Sequence, residues 1–494
     1  MSAKVIYKDI ALGAAENAAV SASGAEDFSV PDKITAGISA PAIATCELGG
    51  WGLSHDYKAR SEQMLAFWSK AKSGADCLFA AAPSITLSFT EQYTSTGLTV
   101  RFAPGSMDFC RRCRVEWYRG AALRQSGDYA AAEPVLIINK TVEGFDRVVF
   151  TFQQTNLPKR RCKIEGITIG VVREFGADEL KSVSAINEVD LISENLPINV
   201  LDVALHSKDN IEYIFQRKQP IEAYDGDNLI GVYYIEKGKR TGSADFSVSC
   251  KDAVGLLDLA AEPGGIWLSE TPLSEVLSAV FGGIVSFEVD SAYQNSTLQG
   301  FIEPGTMREA LRQITFVLGA VADTSGTDKV RIFPAPSAAA AISPKKTYSG
   351  GTIETADKVT EVTVTAYRFF DERPEGDDEY VELGGVQYRY YTETKHAYNT
   401  DVVSGDPENK VKFIGQYLCN LGNAQGIANR IMEHCKRREK YSFSHVLSGE
   451  APAGKYAAAL PWGNTRSGNI TKMSITLSGI TVSAAEMLLD EQEA

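Results

Sequence analysis

The sequence predicts a mostly β protein of several domains, with an antiparallel, jelly-roll-like β-sandwich near its N-terminus and a small α+β insertion further on. Three observations predict this. The chain has 494 residues, and single cores rarely grow beyond about 250–300. Period-two alternation of apolar and polar residues, broken by turn residues, recurs along most of it. Helical stripes are few and short.

Residues 1–35 are rich in Ala, Ser and Gly and read as an N-terminal arm, with Ala11 to Gly24 either extended or a short helix. Over 36–175, Ile85, Leu87 and Phe89 alternate with Thr86, Ser88 and Thr90. Leu98, Val100 and Phe102 repeat the pattern, as do Val115 and Trp117, then Val148, Phe150 and Phe152, then Ile167 and Ile169. Ser95-Thr96-Gly97 and Pro104-Gly105 punctuate these runs, which together predict the sandwich. Over 176–262 strands continue at Ile198 to Leu205, Ile211 to Phe215, Leu229 to Ile235 and Phe246 to Cys250, closed by a short helical turn at Asp252 to Asp258.

Residues 263–334 read as the small α+β domain. Thr271 and Pro272 open one helix, with Leu273, Val276, Leu277 and Val280 as its stripe and Gly282-Gly283 as its stop. Thr306 and Glu309 form a capping box for a second, which Gly319 ends. Residues 335–349, with Pro336, Pro344 and five alanines, read as a linker. Over 350–494 strands return at Val362 and Val364, a hairpin turns at Gly384-Gly385, a helix runs from about Asn423 to Lys440, and Met473, Ile475 and Leu477 mark a last strand. Lys436-Arg437-Arg438 suit the negative end of that helix.

Net charge is −14, unevenly placed. Residues 1–180 hold 20 basic and 20 acidic side chains, and the remainder 29 and 43. An acidic surface disfavours DNA clamping, which depends on phosphate neutralisation. No apolar run is long enough to span a membrane, and the first residues lack a signal-peptide core, so synthesis in a cytoplasm is expected. Eight cysteines are scattered, and Cys110-Arg-Arg-Cys113 has no second pair for zinc; they read as incidental thiols.

Several phrases occur in an order that resembles the tail-hub (baseplate-hub, tail-tip) proteins of tailed phages and phage-like particles. They are Asn195-Leu-Pro-Ile-Asn-Val-Leu-Asp-Val-Ala-Leu, Phe215-Gln-Arg-Lys-Gln-Pro-Ile-Glu-Ala-Tyr, Gly231-Val-Tyr-Tyr-Ile-Glu-Lys-Gly and Phe246-Ser-Val-Ser-Cys-Lys-Asp-Ala-Val-Gly-Leu-Leu-Asp, then Gly300-Phe-Ile-Glu-Pro-Gly-Thr-Met-Arg-Glu-Ala-Leu-Arg-Gln-Ile and Gly468-Asn-Ile-Thr-Lys-Met-Ser-Ile-Thr-Leu-Ser-Gly. The likeness spans about 185–485. Residues 40–172 resemble a sandwich module found ahead of some such hubs, through Thr45-Cys-Glu-Leu, Phe67-Trp-Ser, Phe89 to Phe102 and Val115-Glu-Trp-Tyr. The resemblance implies tube-like β-barrels over 176–262 and 350–494. It implies a homotrimer whose six barrels ring a channel that DNA traverses without specific binding. The implied partners are tail-tube and distal-tail proteins, a tape-measure protein and tip or fibre proteins, and the implied location is a virion tail assembled in the bacterial host cytoplasm. With that ring in mind, the acidic surplus is expected to face the channel.

No enzyme is expected. No motif pairs two carboxylates in the manner of a glycosidase, and His55, His206, His396, His434 and His445 lie in no hydrolase or zinc-protease context. His434 reads as a packing or surface residue. No catalytic, cofactor or metal residue is assigned. The alternative function is carbohydrate binding at a tail tip through the sandwich, with Trp51, Trp117 and Tyr118 as contacts. Against it, Trp68 and the alternating Trp117 read as core residues.

Overall fold

The computed structural model describes residues 3–11, 13–35, 51–53, 59–61, 65–103, 108–207, 215, 217–376 and 378–491. The chain forms two compact units, residues 6–174 and residues 175–494 together with 1–5. It is mostly β throughout.

In the smaller unit seven strands form one antiparallel sheet. Two of them, Ser84–Phe102 and Val135–Thr155, are long and carry register breaks. Ser84 to Ser88 pair with Thr151 to Arg147, and Gly97 to Arg101 with Asn139 to Val135, with irregular pairing between. The first stretch joins Ala18–Ser23, and its partner joins Cys110–Arg119. The second stretch joins Arg161–Thr168, which in turn pairs with Phe67–Lys72. Bulges let one strand serve two layers, because each adds local twist and bend. The layers close on one core, where Phe152 packs against Phe67 and Phe102, with ring centroids 6.5 and 6.2 Å apart. The arm segment Ala18–Ser23 is therefore an edge strand rather than a helix.

The larger unit is organised by a sheet in which nine strands run in the order Pro220–Asp225, Asn228–Arg240, Asp245–Lys251, Val200–His206, Leu180–Glu188, Thr465–Leu477, Val482–Leu489, Glu439–Val446 and Thr352–Thr355. Every pairing along it is antiparallel. The first five strands form one curled half-barrel and the last four another. They meet edge to edge where Val183 to Glu188 pair with Leu477 to Lys472. The expected strand over Ile211 to Phe215 falls almost wholly outside the described residues.

Four α-helices occur among the described residues: α1 (Ala253–Leu257), α2 (Leu273–Phe281), α3 (Met307–Leu318) and α4 (Ala424–Lys436). Helix α1 begins where strand Asp245–Lys251 ends, because Asp252 caps it, its carboxylate accepting from the Gly255 amide at 3.1 Å. Thr306 caps α3 through the Glu309 amide, and Gly319 ends it at φ 71°. Glycine suits that left-handed position because it has no Cβ to collide. Helices α1, α2 and α3 share a core with Leu298, Ile302, Val330 and Ile332. Helix α4 packs on a separate four-stranded sheet, in the order Tyr380–Leu383, Val386–Tyr398, Glu361–Phe369, Lys410–Phe413. The segment after Pro334 is docked rather than loose. Ala340 and Ala341 pair with Tyr456 and Ala457, and the Pro336 carbonyl accepts from Asn469 Nδ2 at 3.1 Å.

Candidate functional site: the open face of the long sheet

Alternation along each strand gives the nine-stranded sheet one apolar and one polar face. Leu201, Val203, Leu205, Val248, Cys250, Val183, Met473, Ile475, Met487, Tyr441 and Phe443 are buried. The residues between them face the other way and are mainly small, hydroxylated or charged, with Val200, Ile186, Val446 and Val482 among them. Register lines them up in rows that cross the seam. Ser249, Asp202, Ser184, Thr476, Val482 and Val446 stand opposite one another in turn. In the next row come Lys251, Val200, Ile186, Ser474, Ala484 and Ser444. Beyond it come Glu188, Lys472, Glu486, Ser442 and Thr352.

Several charges on this face are paired. Lys472 Nζ lies 3.6 Å from Glu188, Lys440 3.1 Å from Glu486 and Lys251 2.6 Å from Glu236. Asp245 accepts from Lys181 and His206, each at 2.7 Å; together they hold its carboxyl below the usual range, Lys181 foremost. Lys237 and Lys239, with Asp202 and Glu354, also stand on this face. Lysines and carboxylates are interspersed on this face, with Glu222, opposite Val232, adding one further carboxylate to it.

Behind the face, a buried polar chain fixes the first half-barrel to the helical layer. Thr324 Oγ1 donates to Asp252 at 2.7 Å and accepts from Asn199 Nδ2 at 3.1 Å. Asn199 Oδ1 accepts from the Glu188 amide at 2.7 Å, and Tyr233 donates to Asn187 at 2.7 Å. Burial pushes the Asp252 carboxyl up to about 6, against the lowering effect of Thr324 and nearby amides.

Trp117 is 1% exposed, with its ring edge-on to Tyr129 in the sandwich core. No ring face of it is open to a ligand, since its alternating position turns it inward. Tyr118 is half-buried on the opposite face; Arg147 stacks 4.5 Å from its ring centroid and its hydroxyl donates to Glu116 at 3.2 Å. Trp51 begins the short strand Trp51–Leu53, paired with Ala59–Ser61, and its side chain lies outside the described residues. Trp68 is fully buried. The structure does not bring Trp117 and Tyr118 to one surface. Cys110, Cys113 and Cys162 are buried free thiols, and burial pushes Cys113 and Cys162 well up. His434 is held neutral by burial, which lowers it to about 4, as suits a packing residue. No group of three or more metal-type ligands occurs among the described residues, and no described helix is long and apolar enough to cross a membrane.

The pairing across the seam joins segments almost three hundred residues apart, so no local sequence signal marks Glu188 or Lys472.

No family model matches the chain, and no curated protein does. Among solved structures it is similar to the tail protein from Neisseria meningitidis MC58, at 15% identity and TM-score 0.45, over 64% of this chain and 93% of that one. It is similar to the 43 kDa tail protein of prophage MuSo2 from Shewanella oneidensis, at 10% identity and TM-score 0.46, over 64% and 95%. A prophage tail protein from Listeria monocytogenes EGD-e matches at 10% identity and TM-score 0.41, over 63% and 91%. All three are tail proteins, two of them of prophages.

Proposed function

We propose that this chain is a structural, non-enzymatic tail-hub subunit and that the open face of its long sheet forms part of a tube wall. The observation that carries this is the edge-to-edge union of two antiparallel half-barrels into one sheet, apolar on one side and mainly small, hydroxylated or charged on the other. A sheet of this kind supplies two wall segments per chain. Three chains supply six, which suits a ring joining a six-fold tube to a three-fold tip, and closure removes exposed sheet edges. A wall on which lysines are interspersed with carboxylates and hydroxyls offers phosphates no continuous array of cations, so DNA passes without being held.

In this reading residues 176–262 and 350–494 contribute the two barrels, 263–334 is the α+β insertion, 335–349 connects them, and 36–175 is an added sandwich following the arm 1–35. The partners are tail-tube, distal-tail and tape-measure proteins on one side and tip or fibre proteins on the other, within a virion tail put together in the host cytoplasm. Light scattering on the purified chain tests it. A species of three times 53.5 kDa, or concentration-dependent growth towards it, supports the hub; a mass that settles at a dimer or tetramer overturns it.

A further inference from the structure

Cysteines are scattered along the sequence, yet the smaller unit gathers three of them in one core. Cys110, Cys113 and Cys162 are each fully buried there and carry free thiols. Irregular strands bring them together. Residues three apart on a regular strand face opposite ways, so Cys110 and Cys113 would diverge. The register against Val135–Thr155 instead breaks on either side of Arg112, Arg111 and Arg112 are both exposed, and the two cysteines turn inward together. Cys162 comes from the facing layer. The pairing of its strand with Phe67–Lys72 breaks between Arg161 and Lys163, and its amide donates to the Ser69 hydroxyl oxygen at 2.9 Å. The Cys162 and Cys110 thiols meet in a side-chain hydrogen bond, with Cys113 within electrostatic reach of both.

Two thiols in contact between the layers of a sandwich are one oxidation short of a cross-link. We propose that Cys110 and Cys162 form a disulfide that ties the two layers together once the chain leaves reducing surroundings. The co-reactant is a small disulfide of the glutathione class. One cysteine thiolate attacks it and releases one glutathione thiol, and the second cysteine then attacks the mixed disulfide at the protein sulfur and releases the other. One S–S bond forms in the protein as one breaks in glutathione. The two cysteine sulfurs lose two electrons, the glutathione sulfurs gain them, and the two thiol protons end on glutathione. Only a thiolate attacks, and burial pushes the Cys162 thiol well up, so exchange proceeds through transient opening of the sandwich. The same burial shields the finished bond from reductants. A cytoplasm keeps the pair as thiols, and an extracellular setting oxidises it. The bond closes the long loop between the two residues and so restricts the unfolded chain.

The test holds the purified full chain in glutathione disulfide with mild urea, alkylates the remaining thiols under denaturing conditions and maps the peptides by mass spectrometry. The expected result is a joined pair of Cys110 and Cys162 peptides, with Cys113 alkylated. The oxidised sandwich should melt about 5–10 °C above the reduced one. Cys110→Ala should abolish both the link and the shift, and Cys113→Ala should keep both. Full alkylation of Cys110 and Cys162 after exposure overturns the proposal. So does a bond from either of them to another cysteine, or glutathione left on either as a lasting mixed disulfide.

Discussion

Glu188 stands directly opposite Lys472 across the seam that joins the two half-barrels, and Lys472 stands directly opposite Glu486 on its other side. One ammonium thus sits between two carboxylates where the sheet is joined. Lys472→Glu would put three carboxylates in a row. Like charges opposite one another in a sheet are unfavourable, and these side chains are roughly 35–44% exposed at the Glu188 pair, so a loss of about 1 kcal/mol is expected. Thermal melts in low and high salt check it. The deficit should shrink as salt screens the repulsion, and a deficit indifferent to salt would mean that packing, not charge, is at stake.

Asp252 gives a pH prediction. Its carboxyl titrates near 6 in the folded chain because it is buried, against about 3.9 when unfolded. Between those values the folded state holds a proton that the unfolded state has released. This group therefore adds stability as pH falls from about 6 to 4, by at most about 3 kcal/mol, and the gain is lost as pH rises through 6. Asp252→Asn keeps a capping oxygen for Gly255 and should match the parent near pH 7 within about 1 kcal/mol. Urea midpoints at pH 7, 6, 5 and 4 should show the parent gaining on the variant as pH falls; parallel curves would contradict the assignment.

In the smaller unit Lys163 and Asp108 form an ion pair at 3.1 Å with both side chains essentially inaccessible, and the Lys163 ammonium lies 4.8 Å over the Trp68 ring. Arg160 approaches the same carboxylate at 3.4 Å. Lys163→Ala removes the inner partner and leaves Asp108 with Arg160 alone, so it should cost up to about 3 kcal/mol, the low end for breaking a buried pair. Removing both charges with Lys163→Met and Asp108→Leu should cost less than the single change. Denaturant unfolding of the three proteins decides it.

The two neighbours Trp117 and Tyr118 should separate cleanly. Trp117→Ala opens a cavity in the core and is expected to cost about 3–5 kcal/mol. Tyr118→Ala removes a half-buried ring from the surface and should change stability by no more than about 1 kcal/mol. Equal losses would contradict their placement on opposite faces.

Local chemistry was the legible part of this fold. The Thr306 and Glu309 pair and Gly319 bounded a helix that the structure places at Met307–Leu318. Gly384-Gly385 turns a hairpin in which Leu383 faces Val386, at φ 59° and 81°, and only residues without a Cβ reach that turn readily. Leu273–Phe281 begins one residue later than its expected cap, with Pro272 rather than Thr271 in the cap position. The basic triplet Lys436-Arg437-Arg438 suited a helix end, yet Arg437 instead reaches the Leu488 carbonyl and Asn469. Pairing between distant strands was not legible. The seam at Leu180–Glu188 and Thr465–Leu477, and the parallel union of Glu361–Phe369 with Lys410–Phe413, depend on partners far along the chain, and alternation in one strand carries no record of its neighbour. Nor does composition say which lysines stand opposite which carboxylates, as Lys472 does between Glu188 and Glu486.

The most direct measurement of the central claim is electron cryomicroscopy of the purified full chain. The account predicts a three-fold particle with six wall segments, whose inner surface bears Glu188, Lys472 and the serine rows on either side of them. A particle in which that face is packed against other protein, or a chain that stays monomeric at millimolar concentration, would contradict it.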